Sequence, residues 1–85
     1  MAVAVTVPRL GEAMESAVLI RFLVAPGSEV RRGDPLYELD TDKVTQEVEA
    51  EADGVLLRVD GHDGDTYQVG ATLAWIGAPG EEPPS

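Results

Sequence analysis

The residue best suited to chemistry in this sequence is Lys43, which is the only lysine and therefore the only side-chain amine. It stands in the segment DTDKV, between alternating apolar and polar stretches that predict strands over Leu36–Asp40 and Val44–Val48. A tight turn is expected between these strands, with Asp42 and Lys43 at its centre. A lysine there presents a flexible, nucleophilic amine to solvent, where another enzyme could modify it.

Other residues with catalytic or ligand-binding potential lack the arrangement that such chemistry requires. Asp40, Asp42 and Glu47 surround the lysine, but a small sheet without a cleft favours a solvated acidic rim over a catalytic acid pair. The DGHDGD segment, Asp60–Asp65, fails the residue order of a calcium loop. His62 is the only histidine, and no serine or cysteine arrangement accompanies it. We therefore expect no metal site and no catalytic residue.

The overall charge excludes several classes of partner. Sixteen acidic residues against six basic ones give a formal net charge of −10, whereas nucleic acids and anionic membranes attract clustered lysine and arginine. No apolar run reaches membrane-spanning length, and the start MAVAVTVPRL does not resemble a signal peptide. With Met1 as a native start, we expect a soluble protein of a reducing cytoplasm. The lack of cysteine excludes disulfides.

The chain contains an internal repeat. Ala17–Leu39 aligns without a gap on Gly54–Ile76, 37 positions later, and each copy has the pattern strand, glycine turn, short strand, glycine turn, strand. Two such halves should pack together about a pseudo-two-fold axis, because neither buries its apolar face alone. Alternation predicts that Arg21 and Arg58 point outward. The residues predicted to point inward are Val18, Ile20 and Phe22 in the first copy and Val55, Leu57 and Val59 in the second.

A further strand precedes each half, and the connections that follow these strands differ in length. In Val3–Val7, which precedes the first half, the valines alternate with Ala4 and Thr6, which predicts a strand with one buried face. Matching Val7 to Val48 gives an offset of 41. About four additional residues then fall in the loop Arg9–Ser16, RLGEAMES, by this pattern alignment. The loop is either a longer connection or a surface for partner recognition, for which Glu12 and Glu15 would supply charges and Met14 an adaptable apolar contact. The repeat also relates Lys43 to Gly80, which predicts that the turn and the paired chain ends lie at opposite ends of the domain.

The segment LYELDTDKVTQEVEAEADGVL resembles the lipoyl-attachment segment of acyltransferase (E2) components of 2-oxo acid dehydrogenase complexes. The family pattern has an acidic residue, Thr or Ser, and then Asp-Lys-Ala or Asp-Lys-Val. Its glycines eleven residues after the lysine and sixteen before it are Gly54 and Gly27 here. The resemblance runs from Val3 to about Gly77 and includes the opening VPRLGEAMES. Asp40 stands where Glu is commoner, which keeps the charge.

This resemblance implies an all-β, flattened barrel or sandwich of two four-stranded antiparallel sheets with pseudo-two-fold symmetry. It implies a carrier with lipoate on Lys43, flanked by Asp42 and Val44. A decarboxylase (E1) would reductively acylate the lipoyl group, the E2 core would transfer the acyl group to coenzyme A, and dihydrolipoamide dehydrogenase (E3) would reoxidise it. A lipoyl ligase or transferase would attach lipoate, and the loop Arg9–Ser16 would lie near the lipoyl turn. The parent chain would be a dihydrolipoyllysine-residue acyltransferase, and the isolated domain would be monomeric.

The resemblance also predicts the domain boundary. Residues 1–77 form the lipoyl domain, and residues 78–85 begin a linker rich in Pro and Glu. The tail GAPGEEPPS, Gly77–Ser85, should be disordered or semi-extended.

Three other functions remain open at this point. A biotinyl carrier has a similar fold, but its lysine is typically flanked by methionines, whereas Asp42 and Val44 flank Lys43. A glycine-cleavage carrier is lipoylated but is longer and has additional helices. An unmodified interaction module is the third alternative. The sequence leaves open whether pyruvate, 2-oxoglutarate or a branched-chain 2-oxo acid is served.

Overall fold

The computed structural model describes residues 2–41 and 44–83, and these form two four-stranded antiparallel sheets. The strands are β1 (Val3–Thr6), β2 (Ser16–Phe22), β3 (Glu29–Val30), β4 (Pro35–Asp40), β5 (Thr45–Glu49), β6 (Gly54–Val59), β7 (Thr66–Gln68) and β8 (Thr72–Gly77). One sheet has the order β1-β8-β6-β3 and the other β5-β4-β2-β7. The predicted all-β architecture is confirmed. The described part of the chain has no helix that is long and apolar enough to cross a membrane.

The two sheets are equivalent under the repeat, which confirms the predicted pseudo-two-fold symmetry. A shift of 37 positions carries β2, β3 and β4 onto β6, β7 and β8, and the strand order of one sheet then becomes that of the other. Equivalent hydrogen bonds join the halves: the Gly27 N–H donates to the Leu56 carbonyl at 2.7 Å, and the Gly64 N–H to the Leu19 carbonyl at 2.6 Å. Both glycines have positive φ, 93° and 87°, a conformation that side chains disfavour.

The first strands of the two halves are equivalent at an offset of 43 positions, so the predicted offset of 41 is wrong. Val5 lies opposite Ala74, and Val48 lies opposite Tyr37, the residue equivalent to Ala74. The loop after β1 therefore carries six additional residues rather than four. A shift of two positions leaves the inward and outward alternation of a strand unchanged, so hydrophobic pattern alone could not separate the two alignments.

The predicted inward faces of β2 and β6 are also partly wrong. Ala17 and Leu19 are buried in β2, whereas Val18 and Ile20 are only half-buried. Leu56 is fully buried in β6, in place of the half-buried Val55 and Leu57. After Ile20 and Leu57, the prediction holds again: Phe22 and Val59 pack against the core.

A register shift explains this change of face. Leu19 pairs with Leu39 and Arg21 with Glu38, so Ile20 has no residue opposite it on β4. The same shift occurs 37 positions later, at Leu57 in β6. An extra residue in one strand reverses the faces of all residues beyond it, as in a β-bulge. Because both copies carry the shift, the repeat alignment itself could not detect it.

The core lies between the sheets. Its fully buried side chains are Val7, Leu19, Val30, Leu36, Tyr37, Leu39, Leu56, Leu73 and Ile76. The Tyr37 hydroxyl donates to the Thr6 carbonyl at 3.0 Å, which joins β4 to β1 of the other sheet, and its ring centroid lies 5.1 Å from that of Phe22. Burial raises the pKa of Tyr37, so its hydroxyl stays protonated and donates. The predicted inward face of the first strand holds at Val7, whereas Val3 is 46% exposed.

Candidate functional site

The β4–β5 hairpin carries the candidate site, and hydrogen bonds join Thr41 and Val44 at its end. Asp40 pairs with Thr45 at the end of the ladder. Beyond this pair, the Thr41 N–H donates to the Val44 carbonyl at 2.9 Å, and the Val44 N–H donates to Thr41 Oγ1 at 3.2 Å. The two predicted site residues between them, Asp42 and Lys43, lie outside the described residues. The predicted flanking residue Val44 is 52% exposed, so its side chain faces solvent rather than the core.

Exposed carboxylates border this hairpin. The Asp40 and Glu47 side chains are exposed, and Asp40 Oδ1 accepts a 3.4 Å hydrogen bond from Thr45 Oγ1. Glu38 lies opposite Glu47 and accepts a 2.7 Å hydrogen bond from Arg21 Nε. These groups lie on the solvent side of the sheet, which fits a solvated acidic rim better than an acid pair in a cleft. A surface depression of about 350 Å³ lies elsewhere and is lined by residues such as Glu29, Asp53 and Pro79.

The loop Arg9–Ser16 lies at the same end of the domain as the Thr41–Val44 turn. Val18 is opposite Asp40 in the antiparallel β2–β4 pair, so the start of β2 extends past Asp40 toward the turn. At the same end, the Val69 N–H donates to the Glu15 carbonyl at 2.9 Å. The predicted proximity of the loop to the turn is therefore supported by the strand register.

The chain ends lie at the other end of the domain. Val3 is paired with Ile76 near the two termini. The far end of β1 reaches the turn end, because the Val7 N–H donates to the Ala71 carbonyl at 3.0 Å, next to Val69. The register thus places the described neighbours of Lys43 away from the paired chain ends, as the repeat predicted.

The loop presents charged and apolar groups together. Glu12 and Glu15 are exposed, and Leu10 is 36% exposed. Met14, which we expected to offer an adaptable apolar contact at the surface, is half-buried and packs against the core. Sequence reasoning missed Leu10 because an apolar residue in a loop is equally compatible with packing inward.

The DGHDGD segment shows no ligand chemistry among the described residues, which contain no group of three or more potential metal ligands. His62 is exposed, and its backbone N–H donates to the Tyr67 hydroxyl at 2.8 Å. Arg58 Nε contacts Asp60 Oδ1 at 2.7 Å. Tyr67 packs against the core, and Trp75 is half-buried and lies opposite Arg58 on the outer face of its sheet.

Within the tail Gly77–Ser85, which composition predicted to be disordered or semi-extended, Ala78–Glu81 form a turn. The Glu81 N–H donates to the Ala78 carbonyl at 3.0 Å, and the Ala78 N–H donates to Glu81 Oε1 at 2.9 Å. The bond from the Ala78 backbone holds the pKa of Glu81 below its usual range. Ala78 and Glu81 are the repeat equivalents of Thr41 and Val44, so the last strand of each half is followed by hydrogen bonds between equivalent residues. Residues 84 and 85 lie outside the described part.

The chain belongs to the biotinyl/lipoyl domain family, since residues 3–76 match the family model described as "Biotin-requiring enzyme". Its fold is that of a lipoyl domain. The solution structure of the lipoyl domain of the 2-oxoglutarate dehydrogenase complex from Azotobacter vinelandii is 31% identical, with a TM-score of 0.73, and the match covers 92% of this chain and 99% of that one. A single-chain long-chain acyl-CoA carboxylase has a TM-score of 0.74 over 91% of this chain and 7% of its own, but at 17% identity this likeness shows the fold alone.

Curated relatives are E2 components. The chain is 38% identical over 92% of its length to the lipoamide acyltransferase component of the branched-chain alpha-keto acid dehydrogenase complex of Bacillus subtilis. It is 42% identical over 85% of its length to the dihydrolipoyllysine-residue succinyltransferase component of the 2-oxoglutarate dehydrogenase complex of the same organism. The chain spans only 18% and 17% of the length of these relatives.

The residues present fit a covalently attached lipoate. Attachment by an amide requires an accessible primary amine, and Lys43 is the only lysine. The described neighbours Thr41 and Val44 close a connection with two residues between them, and the exposed Val44 side chain leaves that end of the hairpin open to solvent. A modifying enzyme can therefore approach this end of the domain without displacing core residues.

Proposed function

We propose that this domain is the lipoyl carrier of a 2-oxo acid dehydrogenase complex, with lipoate attached to Lys43. The observation that carries the proposal is that the only side-chain amine falls between β4 and β5 in a chain of the biotinyl/lipoyl family. When bound, lipoate supplies the thiol–disulfide chemistry of acyl uptake from E1, transfer to coenzyme A at the E2 core and reoxidation by E3.

The chain itself contributes position and accessibility. The β4–β5 ladder and the three hydrogen bonds between Thr41 and Val44 hold these two residues, which flank Asp42 and Lys43, at a defined place relative to the sheet. Amide formation removes the positive charge of Lys43, so the modified turn is more acidic than the unmodified one. The tether then raises the local concentration of the carried group at each partner, which makes successive transfers effectively intramolecular.

The partners follow from the same proposal. They are an E1 decarboxylase, the E2 catalytic core, an E3 dihydrolipoamide dehydrogenase and a lipoyl ligase or transferase, and the parent chain is an acyltransferase. Relatives from branched-chain and 2-oxoglutarate complexes match over similar lengths, so their names do not select a 2-oxo acid for this chain. The linker over residues 78–85 and the cytoplasmic location stay predictions. A biotinyl carrier is the alternative to test, because the matching family includes both modifications.

Mass measurement after co-expression with lipoyl ligase tests the proposal. We expect one lipoyl group on the wild type and none on Lys43→Arg, which keeps the charge but removes the primary amine. The double variant Lys43→Arg with Arg32→Lys is the matched control, since it carries one exposed lysine at another place and has the same net charge. Lipoylation of either variant would contradict the assignment of Lys43 as the attachment site. Modification of the wild type by biotin ligase, with none by lipoyl ligase, would favour the biotinyl alternative.

A further inference from the structure

We propose that Arg9 is a positioning residue, which holds the loop Leu10–Glu15 in one conformation for the decarboxylase that acylates the domain. The proposal rests on the carrier function proposed above. It concerns the largest difference between the two halves, and it assigns a role to a side chain that the carrier chemistry itself does not use.

Arg9 binds the backbone of its own loop. Its Nη1 donates to the Met14 carbonyl at 2.8 Å and to the Glu12 carbonyl at 3.2 Å, so one nitrogen bridges two carbonyls. Within this bridge, the Met14 N–H donates to the Gly11 carbonyl at 3.1 Å, and the Leu10 N–H donates to Met14 Sδ at 3.3 Å. The loop is therefore closed by its own hydrogen bonds.

The closed loop is anchored to the sheets and presents its other groups outward. Met14 packs against the core, and the Glu15 carbonyl accepts the Val69 N–H at 2.9 Å. Leu10, Glu12 and Glu15 remain on the surface. Two carboxylates and an apolar side chain in a defined arrangement can fix the orientation of a partner, whereas the same groups on a mobile loop would first have to be ordered.

Removal of the Arg9 guanidinium would free two carbonyls and let the loop adopt other conformations. A partner would then have to order this backbone at the moment of docking, which weakens binding without changing the chemistry at the lipoyl group. The expected signature is a higher KM with nearly the same kcat. Lysine places a single ammonium on a flexible stem, so Arg9→Lys should restore the bridge only in part.

Arg9 also carries a positive charge, and its loss changes the electrostatic field of an acidic domain. Arg32 provides the control for this effect. It is exposed, and it lies at the opposite end, next to Gly33, whose N–H donates to the Ala50 carbonyl. Its backbone N–H donates to Asp53 at 2.7 Å, and a substitution of the side chain leaves that donor in place. Arg32→Met and Arg9→Met therefore change the net charge equally.

The experiment compares fully lipoylated wild type, Arg9→Met, Arg9→Lys and Arg32→Met. Backbone amide hydrogen exchange is measured at Leu10 and Met14. Reductive acylation is measured with decarboxylases of the pyruvate, 2-oxoglutarate and branched-chain classes, and the one most active on the wild type is used throughout. For Arg9→Met we expect exchange at these amides to rise about tenfold or more. We expect its KM to rise about fivefold while kcat changes less than about twofold.

In the same experiment, Arg9→Lys should lie between wild type and Arg9→Met, and Arg32→Met should match wild type. An unchanged KM in Arg9→Met, or an equal rise in Arg32→Met, would overturn the role of Arg9 while leaving the carrier function intact. Unchanged exchange at Leu10 and Met14 would overturn the bridge itself. Failure of all three decarboxylases to acylate the wild type would overturn the carrier function, and the role of Arg9 with it.

Discussion

The two halves of the domain share one architecture but differ at the connections that face solvent. The connection from β1 to β2 is six residues longer than its equivalent between β5 and β6. The connection from β4 to β5 joins two paired strands, whereas its repeat equivalent is the short turn Ala78–Glu81, which follows the last strand. The equivalent strands of the two halves form the sheets. The longer β1–β2 connection lies at the same end of the domain as the predicted attachment site. The asymmetry between the halves therefore lies at that same end.

The outer faces of the two sheets differ in the same way. The row Arg21, Glu38 and Glu47 crosses one sheet, and its repeat equivalents are Arg58, Trp75 and Ala4. Arg21 pairs with a carboxylate across the strands at 2.7 Å, whereas Arg58 pairs with Asp60 on its own chain segment at the same distance. Equivalent backbone positions thus support a charged face on one sheet and a more apolar face on the other, because outward positions carry few packing constraints.

The largest predicted effect compares Gly54 in the second half with the equivalent residue of the first half. Gly54 is equivalent to Ala17, but an added Cβ at Gly54 would lie 2.7 Å from the Gly77 carbonyl oxygen and 2.9 Å from Ile76 Cγ2. Because a backbone atom cannot move aside easily, Gly54→Ala should lower the free energy of unfolding by about 2–3 kcal/mol in urea titrations.

Ala17→Gly is the matched control for this prediction. It removes one buried methyl group and adds backbone freedom, so it should cost about 1.5 kcal/mol. A larger loss for Ala17→Gly than for Gly54→Ala would show that the close approach at Gly54 is easily relieved and that the halves are equivalent here.

An intermediate effect tests the long loop against its short counterpart. Glu12 and Glu15 are exposed, and replacing both with Ala should reduce reductive acylation of fully lipoylated protein by about tenfold, equivalent to about 1.4 kcal/mol. Met14 is kept, because it packs against the core. The control is Glu51→Ala, in the short connection between β5 and β6. An equal loss of reductive acylation in that variant would show that the decarboxylase responds to the charge of the domain and not to the position of Glu12 and Glu15.

The smallest effect compares the two turns. The depressed pKa of Glu81 means that its contribution to stability is present above the unfolded pKa and is lost as the pH falls through the folded value. The difference in melting temperature between wild type and Glu81→Gln should therefore be small at about pH 7 and disappear as the pH falls below the folded pKa of Glu81. Thr41→Val removes an uncharged acceptor from the other turn, so its effect should not depend on pH. If the difference in melting temperature between wild type and Glu81→Gln did not change with pH, the charge of Glu81 would not be the cause of its contribution to stability.

Much of the fold follows from the sequence because the repeat and its glycines mark the strands and turns. The errors arise where the sequence pattern does not show which face of a strand points inward. Val18, Leu19 and Ile20 are all apolar, so alternation could not reveal which of them points inward or where the register shifts. Pattern alignment likewise matched Val7 to the wrong partner.

The candidate site was predicted from the family resemblance and the single lysine. The structure around the site was predicted only in part. The turn position of Lys43 stays a prediction, since that residue lies outside the described part. The bridge from Arg9 to two loop carbonyls depends on the path of the backbone, which no residue pattern specifies. The turn at Ala78–Glu81 was missed for a related reason: a segment rich in Pro, Gly and Glu favours disorder on average, whereas one carboxylate can close a specific turn.

The exchange of strands between the halves has a consequence for synthesis. Within the described chain, β3 pairs only with β6, and β1 only with β8, so neither edge strand has its partner until most of the domain has left the ribosome. Sheets built from such distant pairings fold slowly, over milliseconds to seconds, because long loops must close before contacts form. A nascent chain that ends near Ala50 would expose unpaired edges. Stalled synthesis should therefore favour aggregation over a stable half-domain.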